Sequence, residues 1–533
     1  VTGATIRYTL DGSDPSPTST LYSAPIQITD PSSDPFRYAG LRTTGTDSQA
    51  GIGPWLPPTG NVTKGMVVRA RAFTGSLSST IETQTYFVGA NLAARYSGLP
   101  VLSVVLDPKD LFSPADGLYV LGGDPGTTIP YMDSNFLKGW EKPGHVEFYE
   151  AGRRQAFSQG VDVRMHGNWS LAQPMKTFRL YARAKYGASN FEQPIFDTKP
   201  ITQFQRLLLR NGGNDFTQTM LRDPLIRTVA PPSLLTQGYQ PAAVFVNGEF
   251  WGLHNIRERI DEYFIQNNTG IARTAIDLLE REFAGIQVTI GSTATWDALV
   301  GYLQANSLSS PANYAYIQTQ IDVENFTDYV LLNVWADNRD WPNNNVRMWR
   351  AKAADGRWRW IPFGAESSLG FPGWSSVNND TISFINVDED SQLPLIFRRL
   401  MENGAYETYF AQRSSDLFNV PLRPETVLAQ LNGLQQKVAG IMPEHIARWG
   451  YPATVNAWES NIDGIRDFVG RRPAILRPLF AARFGYSSVM TATFSMSPTG
   501  VSPLSVNTWA NVPITGATWS GVYYQGVPLS ATV

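Results

Sequence analysis

The period of the hydrophobic residues changes near residue 254 of this chain, and that change limits the folds open to it. Before it, short runs alternate apolar and polar residues as half-buried strands do. Such runs lie at 5–10, 67–73, 83–88, 100–106, 144–149, 160–165, 176–181, 206–210 and 242–246, with Asp, Ser, Gly and Pro clusters between them. One helix interrupts them at 219–229, following Asp215 and ending before Pro231-Pro232. After 254 the apolar spacing becomes three-to-four, which predicts helices at 255–266, 294–304, 325–336, 395–402, 406–417, 424–441 and 455–484. Inside this half a strand pair, 346–350 and 358–363, is joined by a Lys-Ala-Ala-Asp-Gly turn. The last stretch, about 487–533, returns to short strands. A β-rich lobe followed by a helix-rich lobe is an α+β arrangement. The expected division is a β-sandwich module at 1–90, a main domain at 91–486 whose lobes change near 253, and the start of a further β module at 487–533.

Charge and residue usage then remove whole classes of function. The 533 residues carry a formal net charge of −3, so no global basic field draws the chain onto nucleic acid or an anionic membrane. The longest apolar runs fall short of the ~20 residues that cross a bilayer. With no cysteine there is neither a disulfide, nor a thiolate metal site, nor a thiol nucleophile. Little Lys and Glu beside much Ser, Thr, Asn, Gly and Trp is the surface chemistry expected of a secreted or cell-surface bacterial protein. The four histidines are scattered and form no HExxH pair, and no G-x-S-x-G elbow or phosphate-binding P-loop occurs.

Polar clusters at strand ends remain. Arg164-Met-His-Gly-Asn-Trp-Ser170 precedes Lys176-Thr-Phe-Arg179. A strand, a turn holding Gly167, Asn168 and Ser170, and a lysine on the returning strand is one way to cap phosphates. Taken alone, such a lysine is more simply a solvated surface residue. The second cluster, Asp337-Asn-Arg-Asp340-Trp-Pro-Asn-Asn-Asn345, follows the predicted 325–336 helix. A carboxylate and an amide five residues apart suit phosphoryl transfer, one orienting an acceptor hydroxyl and the other binding a metal. Helix capping with an Asn-rich turn is the plainer alternative. Asp11, Gly12 and Asp14 read as hairpin-turn chemistry. Of the N-x-[ST] sequons, Asn168 belongs to its turn and Asn325 is expected at a helix N-cap.

Ordered blocks from about 100 to 415 resemble the CotH kinase family, the spore-coat-type atypical protein kinases of bacteria. They include Asp116-Gly-Leu-Tyr119, Trp140-Glu-Lys-Pro143, the two strand-turn blocks above, Arg210-Asn-Gly-Gly-Asn-Asp215 with Leu221-Arg222-Asp223, Val246-Asn-Gly-Glu-Phe-Trp-Gly-Leu-His254 with Glu258, and Asp340 to Asn345. Residues 7–26 are similar to the chitobiase/hexosaminidase C-terminal type of β-sandwich. The kinase resemblance implies an atypical two-lobed kinase-like core using ATP with magnesium or manganese. Asp340 would be the catalytic carboxylate, Lys176 would meet nucleotide phosphates, and Asn345 would be a metal ligand. Gly167, Asn168 and Ser170 would form the phosphate-side turn. Arg164 and Glu258 are looser nucleotide-side candidates, and they, Asp215 and Arg222 could equally brace the fold through buried ion pairs.

The chain departs from the family at one place. Where two aspartates separated by one residue are expected after Trp358-Arg-Trp360, it reads Gly364-Ala-Glu366. Glu366 is then the remaining metal candidate, on a longer arm, and magnesium tolerates little displacement of its ligands. Two readings follow. The chain is an ATP-dependent kinase acting on Ser/Thr-type hydroxyls of an exported protein, or it is a pseudokinase, with or without bound nucleotide, serving as an extracellular structural, adhesion or polysaccharide-binding protein.

Overall fold

The computed structural model describes residues 3–49, 51–89, 92–152, 154–353, 355–385, 392–495, 503–514 and 518–533. The expected boundary at 90/91 and part of the 352–356 turn lie outside the described residues. The content is mixed helix and sheet, as an α+β chain requires, and contacts divide it into two compact units. The first comprises residues 1–220, 237–259 and 435–461, and the second 221–236, 260–434 and 462–533.

In the first unit the N-terminal strands Thr5–Thr9, Thr20–Leu21, Met66–Thr74, Leu77–Ser78 and Glu82–Tyr86 pair into one antiparallel sheet. Asp11 Oδ1 accepts from Ser13 N–H at 3.0 Å beside Gly12 at φ +83°, and Asp14 pairs with Arg69, which is the turn chemistry expected of this stretch. The segment is tied to a closed seven-stranded barrel. Gly65 N–H donates to Gly248 O at 2.7 Å, and Phe250 N–H to Thr63 O at 2.8 Å. The buried Glu249 carboxylate collects the backbone N–H groups of Arg37, Tyr38 and Ala39.

The barrel runs in the order Arg206–Arg210, Glu249–Glu258, Gln240–Val246, Val101–Val105, Lys142–Tyr149, Gln155–Met165 and Phe178–Ala182, and the last strand pairs with the first. Only Val101–Val105 beside Gln240–Val246 is parallel. Closure leaves no edge to protect. All ten residues of Glu249–Glu258 are buried, so this strand reads as a continuous core rather than an alternation. It also corrects one expectation. The start of the predicted 255–266 helix is strand, Asn255 to Glu258 pairing with Arg210 to Leu207, and the helix Glu262–Thr269 begins only after Asp261, whose carboxylate accepts from the Tyr263 and Phe264 N–H groups. Closing the barrel takes precedence over a helical spacing that is itself only a pattern of apolar positions. Lys176 likewise stands just before its strand rather than on it.

The second unit holds a four-stranded antiparallel sheet, Gly285–Ile290, Ile276–Glu282, Val346–Ala351 and Arg359–Ile361, two of whose strands the sequence pattern did not suggest. Between 219 and 229 the helix is shorter than expected, Arg222–Thr228. The helix Val323–Ala336 is buried from Asn325 onward. Its N-cap is Asp322, not Asn325, because the Asp322 carboxylate accepts from Asn325 N–H at 3.2 Å. Asn325 is instead a buried bridge that accepts from Trp360 N–H at 2.6 Å and donates to Ser233 O at 2.9 Å. At the C-terminal end, Val489–Ser495 pairs with Thr518–Tyr524, and Val420 packs with Leu504, Val506, Val512, Trp519 and Tyr523.

Candidate active site

The loop after the helix Val323–Ala336 gathers the strongest candidates in the second unit. Asp337 ends the helix in the left-handed region at φ 49° and is fully buried. Its carboxylate accepts from Ser376 N–H at 2.8 Å, Asn379 Nδ2 at 2.8 Å and Thr381 Oγ1 at 2.6 Å. This aspartate is committed to holding the loop. Three residues on, Asp340 is held differently. Its backbone N–H donates to Asn338 Oδ1 at 3.2 Å, and among the described residues its oxygens accept only from the side-chain amides of Asn344 at 2.9 Å and Asn345 at 2.7 Å. Burial pushes its carboxyl above the usual aspartate range, against the pull of those two amides.

Asn345 sits at φ 55° and turns its amide nitrogen to Asp340, which directs Oδ1 elsewhere. Gly364, at φ +66°, lies against it: a Cβ there would stand 2.7 Å from Asn345 Cγ and 2.8 Å from its Nδ2. The space into which a carboxylate at 364 would grow is therefore taken by Asn345. Glu366 is buried, on a stretch anchored to the same loop by Arg339 N–H to Ser367 O at 3.2 Å and Leu369 N–H to Ala336 O at 2.8 Å. Asn343, in a run that the sequence pattern marked only as a turn, has its Oδ1 buried without a hydrogen-bond partner. An amide in such a run gives no sign of burial before folding.

Asp340 and Asn345 offer hard oxygen ligands, the kind magnesium and manganese take. Among the described residues no three His, Asp or Glu side chains are gathered as a metal centre. The set fits a cation that arrives already carried by nucleotide phosphates, since magnesium is commonly bound through one or two carboxylates plus substrate phosphates. It does not make a closed protein cage.

In the first unit Arg164, Gly167, Asn168, Ser170 and Lys176 follow one another through a strand, the short turn Trp169–Ala172 and the approach to the next strand. Gly167 is at φ +130°, and a Cβ on it would fall 2.5 Å from Ser170 Oγ, so the turn requires glycine there. Gly167, Asn168 and Trp169 are exposed, whereas Lys176 is completely buried. Its ammonium donates to Leu171 O at 2.7 Å and Gln173 O at 3.0 Å and lies 3.9 Å from the Phe136 ring centroid. Desolvation holds its pKa well below the ordinary lysine range. Glu258 accepts from Lys199 Nζ at 2.5 Å and Gly238 N–H at 2.8 Å, and Asp215 accepts from Thr219 Oγ1 at 2.6 Å. In the second unit the buried Arg222 stacks over Phe371, 5.3 Å from its centroid. The second unit's loop can orient a hydroxyl at Asp340 and bind a hard cation beside it; taken by itself, the first unit offers exposed backbone at 167–169.

The family described as CotH kinase protein matches residues 163–476, more than half of the chain, and that described as Fn3 associated matches residues 1–86. No curated protein matches it.

Proposed function

The chain belongs to the family of CotH kinase proteins, and we propose that within it this molecule is an exported kinase-like protein whose phosphoryl transfer is strongly reduced. One observation carries this reading: Gly364 supplies no carboxylate and is packed against Asn345, leaving Glu366 as the nearest acid in sequence. Asp340 would orient an acceptor hydroxyl, and Asn345 would hold the cation that accompanies ATP. Bound magnesium or manganese would neutralise phosphate charge. Lys176, spent on two carbonyls, would brace its turn. Glu258, which holds Lys199 and the Gly238 N–H, fits a bracing role. A secreted or cell-surface setting, with a protein or polysaccharide partner, accords with the residue usage.

The intact Asp340–Asn345 pair favours a second reading, an active kinase on Ser/Thr hydroxyls of an exported protein. Transfer of labelled γ-phosphate to a generic Ser/Thr acceptor separates the two. The wild type should be slow, Asp340→Ala should remove what transfer there is, and Gly364→Asp should not raise the rate, because the added side chain would meet Asn345 from a backbone at φ +66°. Wild-type rates in the ~1–100 s⁻¹ range of working kinases, removed by Asp340→Ala, would establish the second reading instead. Transfer indifferent to Asp340→Ala would defeat both. Thermal titration with millimolar ATP and either metal reports binding independently of turnover.

A further inference from the structure

The helix Met442–Trp449 and the strand Glu249–Glu258 belong to the first unit and meet through side chains that phosphoryl transfer does not use. Trp449 Nε1 donates to Trp251 O at 2.7 Å, and Leu253 N–H donates to His445 Nδ1 at 3.1 Å. Because Nδ1 accepts, the neutral imidazole carries its proton on Nε2. That N–H is buried without a hydrogen-bond partner. Three residues on, along the same helix face, Arg448 is 1% exposed. Its guanidinium lies 3.7 Å from the Trp449 ring centroid and 4.5 Å from that of Trp251. Yet Nε, Nη1 and Nη2 are all buried without an acceptor.

Arginine cannot resolve this by giving up its proton at neutral pH. The carboxylate of Glu249 is engaged by three backbone N–H groups, and no carboxylate pairs with Arg448 among the described residues. The carbonyl end of the helix and the two indole faces favour a cation. They act on the flat faces and the net charge of the guanidinium, and leave its in-plane N–H groups unmatched. Buried donors with no acceptor are strongly unfavourable, more so when they carry charge.

We propose that Arg448 and His445 hold a small inorganic anion of halide size. The four orphaned groups are all donors from one face of one helix, the complement of an anion and not of a cation or an apolar ligand. Their surroundings are tight: a Cβ on Gly252 would stand 2.8 Å from Trp449 Nε1 and 3.0 Å from His445 Nδ1. The anion would serve as a structural counter-ion that fixes the helix to the barrel strand, whatever the state of the kinase chemistry.

Bromide diffraction and thermal unfolding test this on the full chain. Wild-type crystals in sodium bromide should give an anomalous peak in contact with the Arg448 guanidinium. The unfolding midpoint should rise saturably by about 2–4 °C in chloride or bromide over gluconate at matched ionic strength, and Arg448→Met should lose that rise. Absence of the bromide peak, stabilisation by acetate but not by halides, or an equal halide rise in Arg448→Met would each overturn the assignment. If Arg448→Met does not fold, the wild-type bromide peak decides alone.

Discussion

In the first unit the groups that burial shifts on the acid side of neutrality are mainly histidines: His254 and His445, both fully buried, are pushed down to about 4 and about 3, and His145 to about 4, while Lys176 is held well below its ordinary range. Glu147, pushed up, works against them. In the second unit the groups burial displaces toward neutral pH are carboxyls, Asp416 up to about 6 and Asp340 in the same direction. Desolvation opposes charge in both places, but the consequence reverses with the sign of the charge. The unfolded chain protonates a histidine near pH 6.5 and the folded first unit resists, so stability present above 6.5 is lost as pH falls toward 4. The folded second unit keeps the Asp416 proton up to about 6 while the unfolded chain loses it near 3.8, so stability present in acid is lost as pH rises through that window. One physical term, applied to different residue types, gives the two units opposite responses to acid.

The largest expected effect sharpens this contrast. Taking the protein from pH 7 to pH 4 should cost the first unit about 3 kcal/mol for each of His254 and His445. Hydrogen exchange read peptide by peptide should then show the barrel strands losing protection before the helix Val323–Ala336 does. Simultaneous loss, or the reverse order, would break the comparison. A second contrast lies within one loop. Asp337→Ala strands three donors, the Thr381 hydroxyl fully buried and those of Ser376 and Asn379 half-buried, and should cost about 2–3 kcal/mol in urea unfolding. Asp340→Asn should change stability by about 1 kcal/mol or less while removing whatever phosphoryl transfer the wild type has.

Smaller effects follow. Lys176→Met leaves the Leu171 and Gln173 carbonyls without their donor and should cost about 2 kcal/mol at pH 7. It should also flatten the rise of stability with pH that a depressed lysine imposes below 10.5. A variant as stable as the wild type would mean that the ammonium is not bracing that turn. Asp416→Asn should remove about 1 kcal/mol or more of the pH dependence between 4 and 6, measured as the midpoint of thermal unfolding, and leave the histidine-driven loss in place.

Legibility differed from element to element for physical reasons. The strand at 346–351 and the helices at 404–419 and 424–439 announce themselves because one face of each differs from the other, and the strand at 101–105 because it is a nearly unbroken apolar run. The strand Ile276–Glu282 does not, being rich in acids that pair across the sheet, as Asp277 does with Arg350 at 3.0 Å. At the candidate site the sequence marked Asp340 and Asn345 by residue type and spacing, but not the hydrogen bond between them, because five residues of loop can be compact or extended. The depth of Lys176 was not. Alternation says which side of a strand a residue takes, and nothing about whether an ammonium at its end reaches solvent or closes on two carbonyls of its own turn.

The sequence by itself determined the chemistry on offer: no thiol, an acid and an amide at 340 and 345, a glycine at 364, and family membership that spans more than half the chain. Only the tertiary structure decided how that chemistry is spent. It assigned Asp337 to the loop and left Asp340 to amides alone, packed Gly364 against Asn345, sank Lys176 beneath its turn, and left Arg448 between two indoles without an acceptor. The physical reason is that burial and hydrogen-bond partners arise where distant segments meet, and they fix whether a side chain is charged, occupied or available.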